Sequence, residues 1–394
     1  MKIAIITSGR LPVPATRGGA VETKLDYILA FNATHHLHDI TVYSIKPDKT
    51  IGTNTKNNHY VHFNLDSIWA KIGRYWYSHS NKTPYYSNDI EYFLYKCIRN
   101  IKRKQFDCII IANRPGFILK LRKSFKTFIV NQINNDYISP NSSQASQIKE
   151  ASSLIITCSN FLNDQTRKVK CTKEPPIITV HNGIDIKRFT DAKPISRSQL
   201  GLSENDFVIF YSGRLTQEKG ILELIQAFKQ IRTIPNIKMV ISGASFYGKD
   251  SHETSYIKKL KEEAKDIKEK VVFTGFIDYD EMPSYLKTAN IIVVPSLWEE
   301  PFGLTVLEAM AVGVPLIATK CGGIPEVCDN TAILVERKNL SINLITAIQY
   351  IYNNPQKALL MAQKAKERSW LFDKDTYSMK YFEAIKLTFN KNGY

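Results

Sequence analysis

The chain has 394 residues, of which 43% are hydrophobic, and a formal net charge of +16. This length predicts at least two domains, and the apolar content excludes a largely disordered chain. Six cysteines without a CxxC pair or a zinc-binding spacing are typical of a reduced, cytoplasmic protein. No stretch is long and apolar enough to predict a membrane span, and the apolar run after Lys2 is too short for a signal peptide.

Strands and helices alternate through the first half of the chain, which predicts a doubly wound parallel sheet. The first strand is followed by a loop that contains Gly18 and Gly19 and then by a helical pattern. Glycine has no Cβ atom, so a ligand can approach the backbone closely there, although a Gly-Gly pair alone more often marks a turn. Further strands are predicted at residues 40–45, 108–112, 128–133, 154–159 and 177–180, and a helix at residues 90–104.

A polar segment at residues 187–206 separates the two halves. The second half begins with a strand at residues 206–213, and Arg214 and Lys219 follow its carboxyl end, where α/β sheets bind ligands. An arginine can bind two phosphate oxygens and a lysine adds a point charge; two solvated surface cations are the alternative. Further strands are predicted at residues 238–242, 271–276, 291–294, 316–319 and 333–335.

The most informative stretch is residues 296–313, which follow one of these strands. A loop that contains Glu300 leads into a helix that opens near Gly303, and Glu308 lies about two turns into this helix. The backbone N–H groups of residues 302–305 then lie at a helix N-terminus, which suits an anion. Carboxylates on both sides of an anion site fit a nucleotide sugar, which has phosphates in its middle and hydroxyls at both ends. An ordinary strand, loop and helix with surface acids is the alternative.

The segment from Glu300 to Glu308 resembles the Glu-x7-Glu signature of retaining glycosyltransferases of the family 4 type. The resemblance implies an α/β protein with the GT-B fold, in which two Rossmann-like doubly wound parallel-sheet domains face a central cleft. It extends over essentially the whole chain. It implies an acceptor-binding domain at residues 1–190, a nucleotide-sugar-binding domain at residues 191–374, and a C-terminal helix at about 375–390 that packs back on the first domain.

The resemblance also implies roles for single residues. In the family the first Glu binds hydroxyls of the donor sugar and the second binds the nucleotide ribose, which assigns these roles to Glu300 and Glu308. Gly-Arg-Leu-x3-Lys-Gly is the family's diphosphate-binding element, so Arg214 and Lys219 are predicted to be catalytic together with Glu300. The other residues predicted to bind the donor are Gly18, Gly19, Gly213, Gly243, Phe276, Phe302, Gly303, Leu304 and Thr305.

One departure from the family concerns the donor sugar. Family members often have a His after the strand at residues 128–133, where it binds the 6-hydroxyl of the sugar. This chain has no His in the segment and has Asn134 and Asn135 instead. Either an asparagine makes this contact, or the donor is a 6-deoxyhexose.

The resemblance, together with these features, implies a retaining, metal-independent glycosyltransferase. It would transfer a hexose or 6-deoxyhexose from a UDP- or dTDP-linked donor to a glycan or lipid-linked acceptor in cell-surface polysaccharide synthesis, without a cofactor. Asp278 and Asp280 have the Asp-x-Asp spacing of metal-binding transferases, but their position at a helix start predicts caps rather than metal ligands. The alternatives are a nucleotide-sugar epimerase on the same fold and a non-catalytic, sugar-binding member of the family.

Positive charge is concentrated in the first half of the chain. Residues 1–190 contain 27 Lys and Arg against 13 Asp and Glu, and the remaining residues contain 26 against 24. The densest basic runs are residues 99–104 and 120–126, and they predict peripheral docking on an anionic membrane at its inner face; a solvated basic face is the alternative. The runs are interleaved with the apolar residues Ile101, Leu121 and Phe125. No nucleic-acid-binding motif is present, so nucleic acid is not predicted as a partner.

Overall fold

The computed structural model describes residues 1–48, 54–81, 85–244, 253–391 and 393. The chain divides into two compact units, Met1–Gly183 together with Lys374–Tyr394, and Ile184–Asp373. The first unit therefore ends at Gly183, which is earlier than the boundary between residues 190 and 191 that the polar segment predicts. Within the described ranges, no helix combines the length and the apolar character needed to cross a bilayer.

The first unit is built on a parallel sheet. Among the described residues it has seven strands in the order β3-β2-β1-β4-β5-β6-β7. The inner strands are runs of buried Ile, Val and Ala, as expected of a sheet covered by helices on both faces. The strands are β1 (Lys2–Ile6), β2 (Asp39–Ile45), β3 (Asn58–Phe63), β4 (Cys108–Ala112), β5 (Phe128–Ile133), β6 (Leu154–Thr157) and β7 (Ile177–Thr179).

The helices of this unit connect the strands. They are α1 (Ala20–His35), α2 (Ile68–Ser80), α3 (Asn88–Ile101), α4 (Ile118–Leu121), α5 (Ala145–Ala151) and α6 (Asn160–Arg167). Two elements are not predicted by the sequence pattern: β3, an edge strand whose residues are mostly half-buried, and α2, whose large apolar side chains point outward.

The second unit contains a second parallel sheet. Its order within the described part of the chain is β10-β9-β8-β11-β12-β13. The strands are β8 (Phe207–Ser212), β9 (Ile237–Ser242), β10 (Val271–Gly275), β11 (Ile291–Val294), β12 (Leu316–Thr319) and β13 (Ile333–Val335). The helices are α7 (Ile186–Asp191), α8 (Ile221–Ile231), α9 (Ser255–Glu263), α10 (Met282–Leu286), α11 (Leu304–Val312), α12 (Ile324–Cys328), α13 (Leu340–Asn353) and α14 (Pro355–Ser369). Two doubly wound parallel sheets confirm the predicted fold class.

After Asp373 the chain returns to the first unit as α15 (Lys374–Lys391), which packs against α1. Tyr381 and Ile385 are fully buried in the core that α15 shares with the first sheet. The Tyr381 hydroxyl donates to Oε1 of Gln132 at 3.1 Å. The last helix is therefore part of the first unit's core.

Each sheet has one place where the strand order reverses, between β1 and β4 in the first unit and between β8 and β11 in the second. The chain leaves the two strands in opposite directions there, so the loops at their carboxyl ends separate and form a crevice. Ligands of doubly wound sheets bind in such crevices. The predicted residues Arg214, Lys219 and Glu300 lie on the loops after β8 and β11.

Candidate functional site

The loops after β8 and β11 pack directly on each other. Gly220 ends the first loop with a φ of 68°, and a Cβ atom there would lie 1.8 Å from the carbonyl oxygen of Pro295. The N–H of Leu297 donates to the carbonyl of Glu218 at 2.8 Å. Only glycine permits this approach at a positive φ, so the two loops form one surface.

A partly shielded ion pair joins the two loops. Lys219 Nζ lies 2.5 Å from Glu300 Oε1, and the two side chains are 19% and 11% exposed. The Ser296 hydroxyl donates to the same carboxylate oxygen at 2.8 Å. The ammonium of Lys219 also lies 5.7 Å from the ring centroid of Trp298, within the range of a cation–π interaction. The structure thus brings two of the three predicted catalytic residues together.

The backbone around Glu300 is held by the turn before α12. The N–H of Gly323 donates to the carbonyl of Glu300 at 2.7 Å, and the N–H of Gly322 donates to the Glu299 carboxylate at 2.6 Å. Arg337 pairs with the same carboxylate of Glu299. These bonds fix the loop from its far side, so the Glu300 side chain keeps its position beside Lys219.

Arg214, the third predicted catalytic residue, lies outside this ion pair. One of its guanidinium nitrogens is 3.6 Å from the Glu218 carboxylate, and both side chains are 40% exposed. The Tyr211 hydroxyl donates to the carbonyl of Arg214 at 2.9 Å, which fixes the backbone. An exposed pair at this distance contributes little free energy. Breaking the contact between Arg214 and Glu218 in order to bind an anion therefore costs little free energy.

The first turn of α11 follows Glu300 directly. Gly303 precedes the helix, and the buried Phe302 ring packs edge-to-face on Phe372 with 5.8 Å between centroids. Leu304 and Thr305 open the helix and are half-buried. The first N–H groups of an α-helix have no partner within the helix and lie at the positive end of its dipole. All four predicted residues thus lie at a helix N-terminus, and their binding of an anion stays a prediction.

Glu308 lies in the second turn of α11 and is buried. Burial raises the pKa of its carboxyl to about 8, although the charge of Arg188 and a hydrogen bond with Tyr279 act in the opposite direction. Arg188 itself pairs with Asp280 at 2.6 Å and lies over the Tyr279 ring. The carboxyl of Glu308 therefore keeps its proton at neutral pH.

Three predicted donor-binding residues follow neighbouring strands at the same edge of the sheet. The N–H of Gly213, after β8, donates to the carbonyl of Ser242 at 3.1 Å. A Cβ atom on Gly243, after β9, would lie 1.8 Å from the carbonyl oxygen of Gly213. Phe276 follows β10 and is half-buried. Packing between strand ends is thus a sufficient reason for the glycine at position 243.

In the first unit, Gly18 and Gly19 end the loop between β1 and α1, at the switch point of that sheet. Glu22 in the first turn of α1 accepts a hydrogen bond from the Ser8 hydroxyl at 2.9 Å, and burial raises the pKa of this carboxyl. Arg114, which follows β4, donates to the carbonyl of Ser8 at 3.3 Å. Polar groups from both switch-point loops therefore meet beside the two glycines.

A buried lysine orients Asn134. Lys24 Nζ donates to Oδ1 of Asn134 at 2.5 Å and to Oδ1 of Asn182 at 2.8 Å, and burial lowers its pKa to about 8. Asn134 is 8% exposed, and its Nδ2 has no hydrogen-bond partner among the described residues. Asn135, the other predicted sugar contact, is half-buried. The lysine thus occupies the carbonyl end of the Asn134 amide and leaves its donor end unused.

The described ranges contain no cluster of three or more His, Cys, Asp or Glu residues that could hold a metal ion. Of the two acids with Asp-x-Asp spacing, Asp280 pairs with Arg188, which differs from the predicted helix cap. The carbonyl of Asp278 accepts the N–H groups of Glu281 and Met282 at 2.9 and 3.1 Å, so this residue closes the turn before α10.

Several side chains that contact the predicted residues were not found from the sequence. Ser296 and Trp298 lie inside the stretch that carries the resemblance, but a hydroxyl and an indole there belong to no motif. Lys24 lies in a helix, where a lysine normally reaches solvent. Tyr279 is distant in sequence from Glu308. Only the three-dimensional arrangement connects these residues with the site.

A sequence profile of the family described as glycosyl transferases group 1 matches residues 192–368. The second unit of the chain is thus similar to this family. Spore coat protein SA of Bacillus subtilis (strain 168) is 29% identical to the chain over 343 residues, which are 84% of this chain and 83% of that protein.

Solved structures of similar fold cover nearly the whole chain. The sucrose-phosphate synthase of Thermosynechococcus elongatus has a TM-score of 0.77 and 21% identity over 99% of this chain and 100% of that chain. Anabaena HepE, in complex with UDP and glucose, has a TM-score of 0.72 and 22% identity over 98% of this chain and 99% of that chain.

These findings confirm the predicted GT-B fold and the glycosyltransferase class. The matched residues lie within the second unit and include Arg214, Lys219, Glu300 and Glu308. The retaining mechanism and the family 4 type stay predictions, as do the roles of the single residues.

The raised pKa of Glu308 predicts a pH-dependent effect of the substitution Glu308→Gln. The unfolded chain loses this proton near pH 4.5 and the folded chain near pH 8, so wild-type stability falls as the pH rises between these values. The glutamine has no proton to lose. Between pH 5 and pH 7 the variant should gain on the order of 2 kcal/mol in unfolding free energy relative to wild type.

Urea unfolding at both pH values measures this difference. Glu336→Gln, at an exposed glutamate of the same unit, is the matched control and should follow wild type. An identical pH dependence of Glu308→Gln and wild type would show that the Glu308 carboxyl is already ionised at neutral pH.

Proposed function

We propose that the protein is a retaining glycosyltransferase of the family 4 type. It transfers a hexose or 6-deoxyhexose from a UDP- or dTDP-linked donor to a glycan or lipid-linked acceptor. The observation that carries this proposal is the ion pair between Lys219 and Glu300 at the switch point of the second sheet, with the exposed Arg214 on the same loop. Two cations beside a helix N-terminus suit a diphosphate, and a carboxylate beside them suits sugar hydroxyls.

In the proposed mechanism the donor replaces the contacts between the site residues. Lys219 turns from Glu300 to the diphosphate, Arg214 leaves Glu218, and the first N–H groups of α11 bind phosphate oxygens. These groups stabilise the negative charge that develops on the leaving nucleoside diphosphate, which is electrostatic stabilisation of the transition state. The ribose hydroxyls bind Glu308.

Glu300 orients the sugar rather than attacking it. When Lys219 turns to the diphosphate, the Ser296 hydroxyl still donates to one carboxylate oxygen of Glu300, and the loop behind it is fixed by Gly323. A carboxylate held in this way is a positioned acceptor for sugar hydroxyls. Transfer then takes place on one face of the sugar, and the leaving phosphate accepts the proton of the acceptor hydroxyl.

Asn134 or Asn135 contacts the 6-hydroxyl if the donor carries one, whereas a 6-deoxyhexose donor needs no such contact. Because Lys24 occupies Oδ1 of Asn134, the amide presents Nδ2 to the ligand. The Nδ2 group of Asn134 can donate a hydrogen bond to the oxygen of such a hydroxyl.

The names of similar proteins support the donor and the pathway. HepE is known in complex with UDP and glucose, which favours a UDP-linked hexose. The relative named spore coat protein SA favours a product that is deployed at the cell surface. We place the reaction on the cytoplasmic side of the membrane, where nucleotide sugars are made.

Removing either cation should lower turnover. The exposed Arg214 can be removed with little effect on the fold, whereas removal of Lys219 also leaves the Glu300 carboxylate poorly compensated. Lys219→Ala and Arg214→Ala should each reduce acceptor-dependent release of nucleoside diphosphate by about 10²-fold or more, the scale of a lost transition-state donor. A panel of UDP- and dTDP-sugars identifies the donor first. Lys320→Ala, which removes an exposed cation of the same unit, is the matched control and should turn over like wild type.

Near-normal turnover in both Lys219→Ala and Arg214→Ala would remove the proposed mechanism. Conversion of the nucleotide sugar by the wild type without any acceptor would favour the epimerase instead.

Activity should persist in excess EDTA. The cations of Lys219 and Arg214 and the helix N-terminus supply the positive charge that a divalent ion supplies in metal-dependent transferases. Turnover measured with and without EDTA should therefore agree. Complete loss of activity that Mg²⁺ or Mn²⁺ restores would contradict metal independence and would return Asp278 and Asp280 to consideration as ligands.

A further inference from the structure

Helix α2 has two faces of different chemistry. Its inner face packs on α3 through Ala70, Gly73 and Tyr77. A Cβ atom on Gly73 would lie 2.3 Å from the hydroxyl of Tyr92, and the Tyr77 ring lies 5.1 Å from that of Tyr95. The helix is therefore fixed to the first unit along one side.

The opposite face of α2 is apolar and exposed. At 100° per residue, residues 68, 69, 72, 75 and 76 lie within one arc of about 120°, separate from the arc of about 60° that holds residues 70, 73 and 77. Trp69 and Trp76 are 82% and 69% exposed, and Ile68, Ile72 and Tyr75 are also exposed. No other described helix concentrates so many exposed large apolar side chains. Contiguous exposed apolar surface of this kind marks a contact with a membrane or another macromolecule.

The surroundings of this apolar face are basic. Lys71 is exposed at its edge. The first unit, which carries α2, has 29 Lys and Arg against 14 Asp and Glu, whereas the second has 24 against 23. Exposed cations also follow the helices that contact α2, namely Lys102, Arg103 and Lys104 after α3 and Lys123 and Lys126 after α4.

The basic runs expose less apolar surface and fewer free cations than their sequence suggests. Ile101 and Leu121 are buried in the core, so they cannot contact a membrane. Lys120 Nζ is bound to Glu91, to the Tyr77 hydroxyl at 3.2 Å and to Asn81 at 3.1 Å. Phe125 is half-buried against the same core. The basic runs therefore offer little apolar surface, whereas α2 offers much more.

We propose that the exposed face of α2 inserts into the interface of an anionic lipid bilayer. Tryptophan and tyrosine side chains favour the headgroup region, and aliphatic side chains such as Ile68 and Ile72 add apolar area. The surrounding cations attract anionic lipid, which selects a bilayer over a second copy of this equally basic unit. A helix that lies in the interface needs no transmembrane segment. The residues of α2 are not those of the proposed donor site, so vesicle binding can be tested independently of the proposed reaction.

Vesicle flotation of the full chain tests this proposal. The wild type should float with phosphatidylcholine vesicles that contain phosphatidylglycerol, and weakly or not at all with phosphatidylcholine alone. The double variant Trp69→Ala/Trp76→Ala should lower the bound fraction at limiting lipid by about tenfold or more, because it removes the two largest exposed apolar groups. Trp370→Ala, at an exposed tryptophan of the second unit, is the matched control and should float like wild type.

Quenching of tryptophan fluorescence by brominated lipid gives a second readout. It should be strong in the wild type and in Trp370→Ala, and largely absent in the double variant. Thermal unfolding should be alike in all three proteins, because the substituted side chains are exposed. Failure of the wild type to bind anionic vesicles would overturn the proposal. Undiminished flotation of the double variant would also overturn it. So would a dimer of the wild type that the double variant does not form, if neither protein binds vesicles.

Discussion

The close approach of Gly220 to the carbonyl oxygen of Pro295 is the constraint on which the site depends. It brings the loop after β8 against the loop after β11, and it does so where the strand order reverses. Any side chain at position 220 would separate the loops, and Lys219 would then lose its contact with Glu300. Each charge of this pair is mostly shielded from water, so loss of one partner would leave the other poorly compensated. The glycine, the lysine and the glutamate therefore act as one unit.

Glu300 and Glu308, the two acids of the Glu-x7-Glu segment, differ in their electrostatic surroundings although both lie near the N-terminus of α11. Glu300 is ion-paired and hydrogen-bonded on one oxygen, which makes it an acceptor of fixed position. Glu308 is buried, and its pKa of about 8 keeps it protonated at neutral pH. A protonated carboxyl can donate one hydrogen bond and accept another, which suits a pair of ribose hydroxyls. Burial rather than neighbouring charge thus decides the protonation state of the second acid.

Those parts of the structure that depend on a continuous run of residues could be predicted from the sequence. Runs of β-branched residues identified the inner strands, and the glycines and charged residues after them identified the loops that bear Lys219 and Glu300. Features set by three-dimensional packing were missed. Lys24 is buried against Asn134, which no helical pattern indicates, and Lys120 is held by Glu91 rather than exposed in a basic run. Helix α2 was missed because its large apolar side chains face outward, whereas apolar periodicity normally marks a buried face.

A crystal structure of the full chain with UDP tests the central claim that the two loops of the second unit form one nucleotide-sugar site. The account predicts diphosphate oxygens within hydrogen-bond distance of Lys219 Nζ, the Arg214 guanidinium and the N–H groups at the start of α11. It also predicts the ribose hydroxyls on Glu308. A structure with UDP bound away from the loops after β8 and β11, and with Lys219 still paired to Glu300, would contradict it.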